Sequence, residues 1–168
     1  METVDIIDEN NHVLNQLAKD EAHVQGLLHR CIIAEVIAKS GEWLLVKQAS
    51  DRQDAHTYVS PVGGHIQANE SEISALKREA QEELGLTEFM YKRIGSAIFN
   101  RRVKNRQENH YFILYEIYTE AEPILNHESV GFKRFTVLEM RALLKSQPQL
   151  FGDAYHFVVK SFYSRLLL

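Results

Sequence analysis

The residues best suited to chemistry are carboxylates at helical spacing between positions 72 and 83. Glu79 lies four residues before Glu83 and three before Glu82, and Glu72 precedes the group by two turns. Residues at these spacings share one helix face, so their charges repel one another unless a cation lies among them. Oxygen ligands at this density suit a hard divalent ion such as Mg²⁺ or Mn²⁺ better than zinc. A solvated acidic face is the alternative for a Glu-rich helix taken alone.

A wider frame of glycine, arginine and glutamate surrounds these carboxylates over residues 64–86. It reads Gly, five residues, Glu, seven residues, Arg-Glu, an apolar residue, any residue, Glu-Glu, any residue, Gly and an apolar residue. This frame resembles the Nudix box in every specified position. The resemblance implies an α/β/α sandwich with a mixed sheet and a Mg²⁺ or Mn²⁺ site. It also implies an enzyme, a pyrophosphohydrolase that cleaves a diphosphate linkage in a nucleoside diphosphate derivative or similar small molecule.

The resemblance also assigns roles by position. The implied metal ligands are Glu79, Glu82, Glu83 and the backbone of Gly64. Arg78 would pin a carboxylate through a bidentate hydrogen bond that lysine cannot reproduce. Glu70 would hold the loop against the helix, and Gly85 would end the helix in the left-handed conformation. Water would attack phosphorus, and Glu82 or a glutamate from a distant loop would accept its proton.

Two further segments are candidates for contact with a substrate. Glu128 follows the long strands and is our candidate for the distant base or an extra ligand, with a solvated loop carboxylate as the alternative. A basic run begins at Arg101 and Arg102, in the predicted connection between two strands. We expect these two arginines to meet a substrate phosphate, and a solvated hairpin tip is the competing interpretation.

The upstream segments 4–10 and 26–30 resemble type I isopentenyl diphosphate isomerases and their hydrolase-like relatives. The isomerases need a cysteine just before the box, where this chain has Thr57 to Pro61, and Cys31 is the only cysteine. His29 matches an isomerase metal ligand by position, but its companions are mostly absent, and the remaining histidines are left unassigned. We therefore rank hydrolysis above isomerisation. A non-catalytic nucleotide-binding domain is a third hypothesis.

The pattern of strands and helices must position these residues. A small N-terminal hairpin is predicted at 4–7 and 13–17, followed by strands at 27–38, 43–48 and 57–60. The box helix is predicted from Ser71 to Leu84, with its apolar stripe on the sheet. Strands at 89–100, 111–118 and 131–135 precede helices capped by Thr136 and Asp153. This order predicts a mixed sheet covered by helices, in the α/β class.

Composition limits the function classes. The chain has 168 residues, 45% of them hydrophobic, with 19 Lys and Arg against 23 Asp and Glu, a net charge of −4. We expect one domain over residues 1–168 and a cytoplasmic protein with no nucleic-acid or membrane partner. A single cysteine excludes an intramolecular disulfide and a multi-cysteine zinc site. The apolar C-terminus, Phe162 to Leu168, predicts either packing on the domain or a homodimer contact.

Overall fold

The computed structural model describes residues 1–168 and contains nine strands in one mixed sheet. The strands are β1 (Thr3–Ile7), β2 (Val13–Ala18), β3 (His29–Ile37), β4 (Trp43–Gln48), β5 (Tyr58–Val59), β6 (Val62–His65), β7 (Met90–Val103), β8 (Arg106–Tyr118) and β9 (Ser129–Phe135). The helices are α1 (Lys19–Gln25), α2 (Glu72–Leu84), α3 (Val137–Ser146) and α4 (Asp153–Phe162). Short 3₁₀ turns follow α3 and α4.

Strand β3 is the centre of the sheet. It pairs in parallel with β8 from His29 to Ile37, and antiparallel with β6 on its other side. Strand β7 extends the sheet beyond β8, while β4 pairs antiparallel with β5 and β9. The N-terminal hairpin of β1 and β2 joins the beginning of β3. This register brings the glycines of β6 beside the central strand.

Helices cover both faces of the sheet. The stripe of α2 packs on one face in a buried cluster that includes Leu76, Ala80 and Leu84. Helices α3 and α4 cover the other face, where Met140 and Tyr155 are fully buried. Burial of a large apolar side chain contributes about 1.5–3 kcal/mol, so each layer is held mainly by apolar contact with the sheet. The predicted α/β/α sandwich with a mixed sheet, an N-terminal hairpin and C-terminal helices is confirmed.

The box helix has the predicted ends. Ser71 precedes α2 in extended conformation, and its side chain accepts a hydrogen bond from the Ser74 N–H at 3.1 Å. Gly85 ends the helix at φ 67°, a left-handed conformation that glycine adopts without steric cost. Its N–H donates to the Gln81 carbonyl, and the Leu86 N–H donates to the Ala80 carbonyl. Helix α2 therefore has a fixed length and a fixed rotation relative to the sheet.

Four elements differ from the sequence-based prediction, and one is strand β6, which the sequence did not predict. Helix α1 was not predicted, because seven residues give too short a periodic pattern. Strands β7 and β8 continue to a two-residue turn at Lys104 and Asn105, both at positive φ, so the expected basic connection is mostly strand. Asp153 is the first residue of α4, and Gly152 occupies the cap position.

The C-terminus divides between core and solvent. Leu166 is buried against the α3 and α4 layer, whereas Leu167 and Leu168 are exposed. The homodimer and the single-domain boundary stay predictions. No helix in this fold has both the length and the apolar composition that crossing a bilayer requires.

Candidate active site

A polar cavity of about 520 Å³ opens between the box helix and the central strands. Its size is within the range of small-molecule sites. The carboxylates of the box helix line one wall, next to the glycines of β6, and the lining also includes Glu128, Arg101 and the loop before β5. The three predicted metal ligands of the helix, Glu79, Glu82 and Glu83, therefore lie in one cavity. Glu72 points elsewhere and pairs with Arg93 and Tyr115.

Arg78 forms hydrogen bonds to several residues in the wall formed by the box helix. Its Nε and Nη2 donate to the two carboxylate oxygens of Glu70, both at 2.9 Å, which is the bidentate geometry expected of arginine. Its Nη2 also donates to the His65 carbonyl at 2.9 Å. Its Nη1 donates to Glu79 Oε1 at 2.5 Å and lies 3.6 Å from Glu82 Oε2. Arg78 thus ties the loop before α2, the end of β6 and two carboxylates into one network.

Gly64 lies directly against the carboxylate of Glu79. A Cβ added at position 64 would meet both oxygens and the carboxyl carbon of Glu79 at less than any real contact distance. A side chain at this position would therefore displace the Glu79 carboxylate, which occupies the space that it would fill. The structure thereby gives a steric reason for this glycine, while its role as a backbone ligand stays a prediction.

The negative charge of Glu83 is offset by a single backbone hydrogen bond. Its Oε2 accepts a hydrogen bond from the Gly63 N–H at 3.2 Å, and Arg78 does not reach it. Burial raises the pKa of Glu83 well above its usual range, and the neighbouring charges of Glu79 and Glu128 add to the effect. Burial likewise raises the pKa of Glu79, against the opposing effect of Arg78. A divalent cation fits this donor set because the set is all oxygen and under-compensated in charge.

Glu128 lines the same cavity. It lies just before β9, and its Oε1 forms an ion pair with Arg52 Nη2 at 2.8 Å. The two ends of the pair are only partly exposed. The pairing of β9 with β4 therefore brings the distant glutamate into the cavity of the box carboxylates, and its role there stays a prediction.

The two arginine candidates separate onto opposite sides of β7, because neighbouring residues of a strand point to opposite faces. Arg101 lines the cavity and pairs with Glu108 at 2.7 Å and Asp54 at 2.8 Å. Arg102 is exposed and does not line the cavity. The expectation that both lie in a connection between strands is wrong, because β7 continues to Val103. Only Arg101 lines the cavity, and its contact with a substrate stays a prediction.

Comparison with known proteins assigns the family. The NUDIX domain family matches residues 27–154, which is more than half of the chain. The chain belongs to the Nudix family. A Nudix hydrolase of Yersinia pestis, described as uncharacterized, is 34% identical over 88 residues, covering 51% of this chain and 48% of that protein. The chain thus matches about half the length of that relative.

Solved structures share the fold of this Nudix domain. DR0079 from Deinococcus radiodurans has a TM-score of 0.76 at 21% identity, covering 95% of this chain and 98% of that one. The NUDIX domain of Shewanella oneidensis NrtR, solved with ADP ribose, has a TM-score of 0.59 at 15% identity, covering 83% and 87% of the two chains. At these identities the likeness concerns the fold.

Sequence reasoning missed one group of residues in this Nudix domain. His23, His29, His65 and His110 come together beside the carboxylate wall, although they are far apart in the chain. The sequence left His23, His65 and His110 unassigned, and strand register and helix α1 bring their imidazoles to His29. No local spacing signals the group. Cys31, by contrast, is a buried thiol whose pKa is raised by burial, in line with the expected structural role.

Proposed function

We propose that this Nudix domain is a pyrophosphohydrolase that cleaves a diphosphate linkage in a nucleoside diphosphate derivative or a similar small molecule. The observation that carries the proposal is the cluster of Glu79, Glu82 and Glu83 on one wall of a polar cavity. Mg²⁺ or Mn²⁺ would be held by these carboxylates and the backbone of Gly64. When bound, the ion supplies charge neutralisation for the diphosphate and acidifies water.

The protein's own residues divide the remaining work. Glu70 and Arg78 hold the carboxylates in position, since Arg78 contacts Glu79 and Glu82 while Glu70 fixes its guanidinium. Arg101 offers positive charge at the far side of the cavity, where it would orient a substrate phosphate after exchanging part of its contact with Asp54. The loop that carries Asp54 would then respond to substrate binding.

Glu82 is our preferred proton acceptor. Its side chain is more than half exposed to the cavity, so it can contact water, whereas the side chain of Glu79 is nearly buried. Glu128 is the second candidate, because it lines the same cavity, where it is paired with Arg52. Substitution of the true proton acceptor should slow the chemical step and leave metal binding in place, so variants of Glu82 and Glu128 distinguish the two assignments.

The deciding experiment is a substrate panel with Mg²⁺ or Mn²⁺, covering dinucleoside polyphosphates, sugar nucleotides, nucleoside triphosphates and prenyl diphosphates. ADP-ribose belongs in the panel because the Shewanella neighbour was solved with it. Reaction in ¹⁸O-labelled water identifies the phosphorus that is attacked. We expect metal-dependent release of a monophosphate, with the label in one product only.

Matched variants test the site. Glu82→Gln keeps the side-chain size and removes the carboxylate, so we expect turnover to fall by at least about 100-fold with little change in melting temperature. Glu88→Gln, on an exposed residue just after the box, is the control and should retain wild-type turnover. Wild-type turnover in Glu82→Gln would contradict the assignment.

Two alternatives from the sequence carry less support. An isomerase-like enzyme, close to the hydrolase-like relatives of isopentenyl diphosphate isomerase, needs a reactive thiol, and the thiol of Cys31 is buried. Incubation with isopentenyl diphosphate and analysis for its allylic isomer tests this alternative. A non-catalytic nucleotide-binding domain would bind members of the panel tightly without turnover.

A further inference from the structure

Four histidines from four different elements meet in one buried cluster. His23 comes from α1, His29 begins β3, His65 ends β6 and His110 lies in β8. One ligand atom of each lies within 4.8 Å of those of the other three. The parallel register pairs His29 with His110, and the antiparallel register places His65 opposite Cys31, two residues along β3. Helix α1 covers the cluster with His23.

Two of the nitrogen–nitrogen distances are close to those between ligands of one small ion. His23 Nε2 lies 3.1 Å from His110 Nε2 and 3.3 Å from His65 Nε2. A tetrahedral ion with metal–nitrogen bonds of 2.0–2.1 Å separates its ligand nitrogens by about 3.3–3.4 Å. The remaining distances are at most 4.8 Å, so small side-chain movements would complete the coordination.

His29 provides an independent sign of a missing ligand. Its Nδ1 lies 2.7 Å from the Leu27 carbonyl, which can only accept, so Nδ1 carries the proton and Nε2 carries a lone pair. This Nε2 is buried and has no hydrogen-bond partner, and the residue is 0% exposed. A histidine that donates from one nitrogen to a backbone carbonyl and presents the other is the usual arrangement of a metal ligand.

Arg106 is the positive charge that a bound cation would have to displace. Its Nη2 lies 2.7 Å from His23 Nδ1 and 2.8 Å from His23 Nε2. Ligation through His23 Nε2 requires the proton on Nδ1, so Arg106 must turn away, and the Glu108 carboxylate at 3.9 Å is its nearest anion.

We propose that His23, His29, His65 and His110 bind one transition-metal ion of the zinc class, at a site separate from the box carboxylates. Imidazole nitrogens favour Zn²⁺, Co²⁺ or Ni²⁺ over the hard ions Mg²⁺ and Mn²⁺, so the two sites select different metals. Because the ligands come from four elements, the ion would fasten α1 to the sheet. His65 follows Gly64 directly, so the ion would also fix the strand that supports the carboxylate wall.

The test titrates Co²⁺ into chelator-stripped full-length protein and follows the visible absorption of tetrahedral Co²⁺. We expect one equivalent of Co²⁺ to bind to the wild type and to Glu82→Gln. Zn²⁺ should replace Co²⁺ and remove the absorption, and Mg²⁺ should leave the absorption unchanged. In His29→Gln and His65→Gln, we expect affinity to fall by more than the roughly 10–100-fold that loss of an outer hydrogen bond to a ligand costs. His12→Gln, on an exposed histidine, is the matched control and should bind normally.

A second measurement needs no variant of the cluster, in case those variants fail to fold. In the Co²⁺-loaded wild type, ligand imidazoles give strongly shifted exchangeable N–H proton resonances, which carboxylate ligands cannot give. Four such resonances would support the site. Absence of stoichiometric Co²⁺ or Zn²⁺ binding at micromolar concentrations, absence of these resonances, or undiminished affinity in folded His29→Gln would each overturn it. Neither readout depends on turnover, so a failed site and a failed hydrolase assignment are distinguishable.

Discussion

Substitution of Arg78 by lysine tests whether its fork geometry, and not its charge alone, organises the site. Arg78 donates hydrogen bonds to both oxygens of Glu70, to Glu79 and to the His65 carbonyl. A lysine ammonium is a single point that cannot span these acceptors, so we expect it to keep one or two of the contacts. The carboxylates would remain neutralised in part but would lose their fixed orientation.

The expected losses of stability and of Mn²⁺ affinity follow from these contacts. A hydrogen bond to a charged group contributes about 1.5–3 kcal/mol, and the Arg78 side chain is only 24% exposed, so solvent screening is limited. Loss of two contacts predicts a decrease of roughly 3–6 kcal/mol in the free energy of unfolding. Loss of the outer support of metal ligands predicts a decrease of about 10–100-fold in Mn²⁺ affinity.

The assay combines urea denaturation with Mn²⁺ titration, followed by electron paramagnetic resonance of free Mn²⁺ and by turnover on the substrate found in the panel. We expect the half-saturating Mn²⁺ concentration to rise and turnover to recover in part at high Mn²⁺. Arg165→Lys, on an exposed residue, is the control. An unchanged denaturation midpoint together with unchanged Mn²⁺ dependence in Arg78→Lys would refute the reasoning.

Three further predictions concern neighbouring features. Gly64→Ala should displace Glu79 and abolish Mn²⁺ binding in a folded protein, whereas Gly131→Ala, where an added Cβ meets nothing within 4 Å, should be silent in titration and circular dichroism. Burial raises the pKa of Glu35 to about 8, from 4.5 for an ordinary glutamate. At pH values between these two, unfolding therefore releases a proton from Glu35. Wild-type stability should therefore fall as pH rises through this window, by at most about 1.4 kcal/mol per pH unit, and urea titrations of Glu35→Gln should lack this slope. Asn105→Ala, at φ 63° in the β7–β8 turn, should lower the free energy of unfolding by about 1 kcal/mol, and an unchanged denaturation midpoint would contradict that value.

Much of the fold was predictable because its signals are local. The box helix is defined by Ser71, a 3.6-residue apolar stripe and Gly85, all within one segment. The layers followed from the order of strands and helices. Helix α1 was missed because it is short, and the basic segment was misjudged because β7 and β8 stabilise each other through long-range pairing that outweighs local polarity.

The sequence by itself determined the carboxylate wall of this protein. Glu79, Glu82 and Glu83 share a helix face through backbone periodicity alone, and the Gly64 to Leu86 frame identifies the family. Only the tertiary structure decided which distant residues join them. Glu128 and Arg101 enter the cavity through strand register, whereas Arg102 is turned away by the alternation of side chains along β7. The histidine cluster is the extreme case, since His23 and His110 are 87 positions apart and meet only through β3 pairing and the docking of α1.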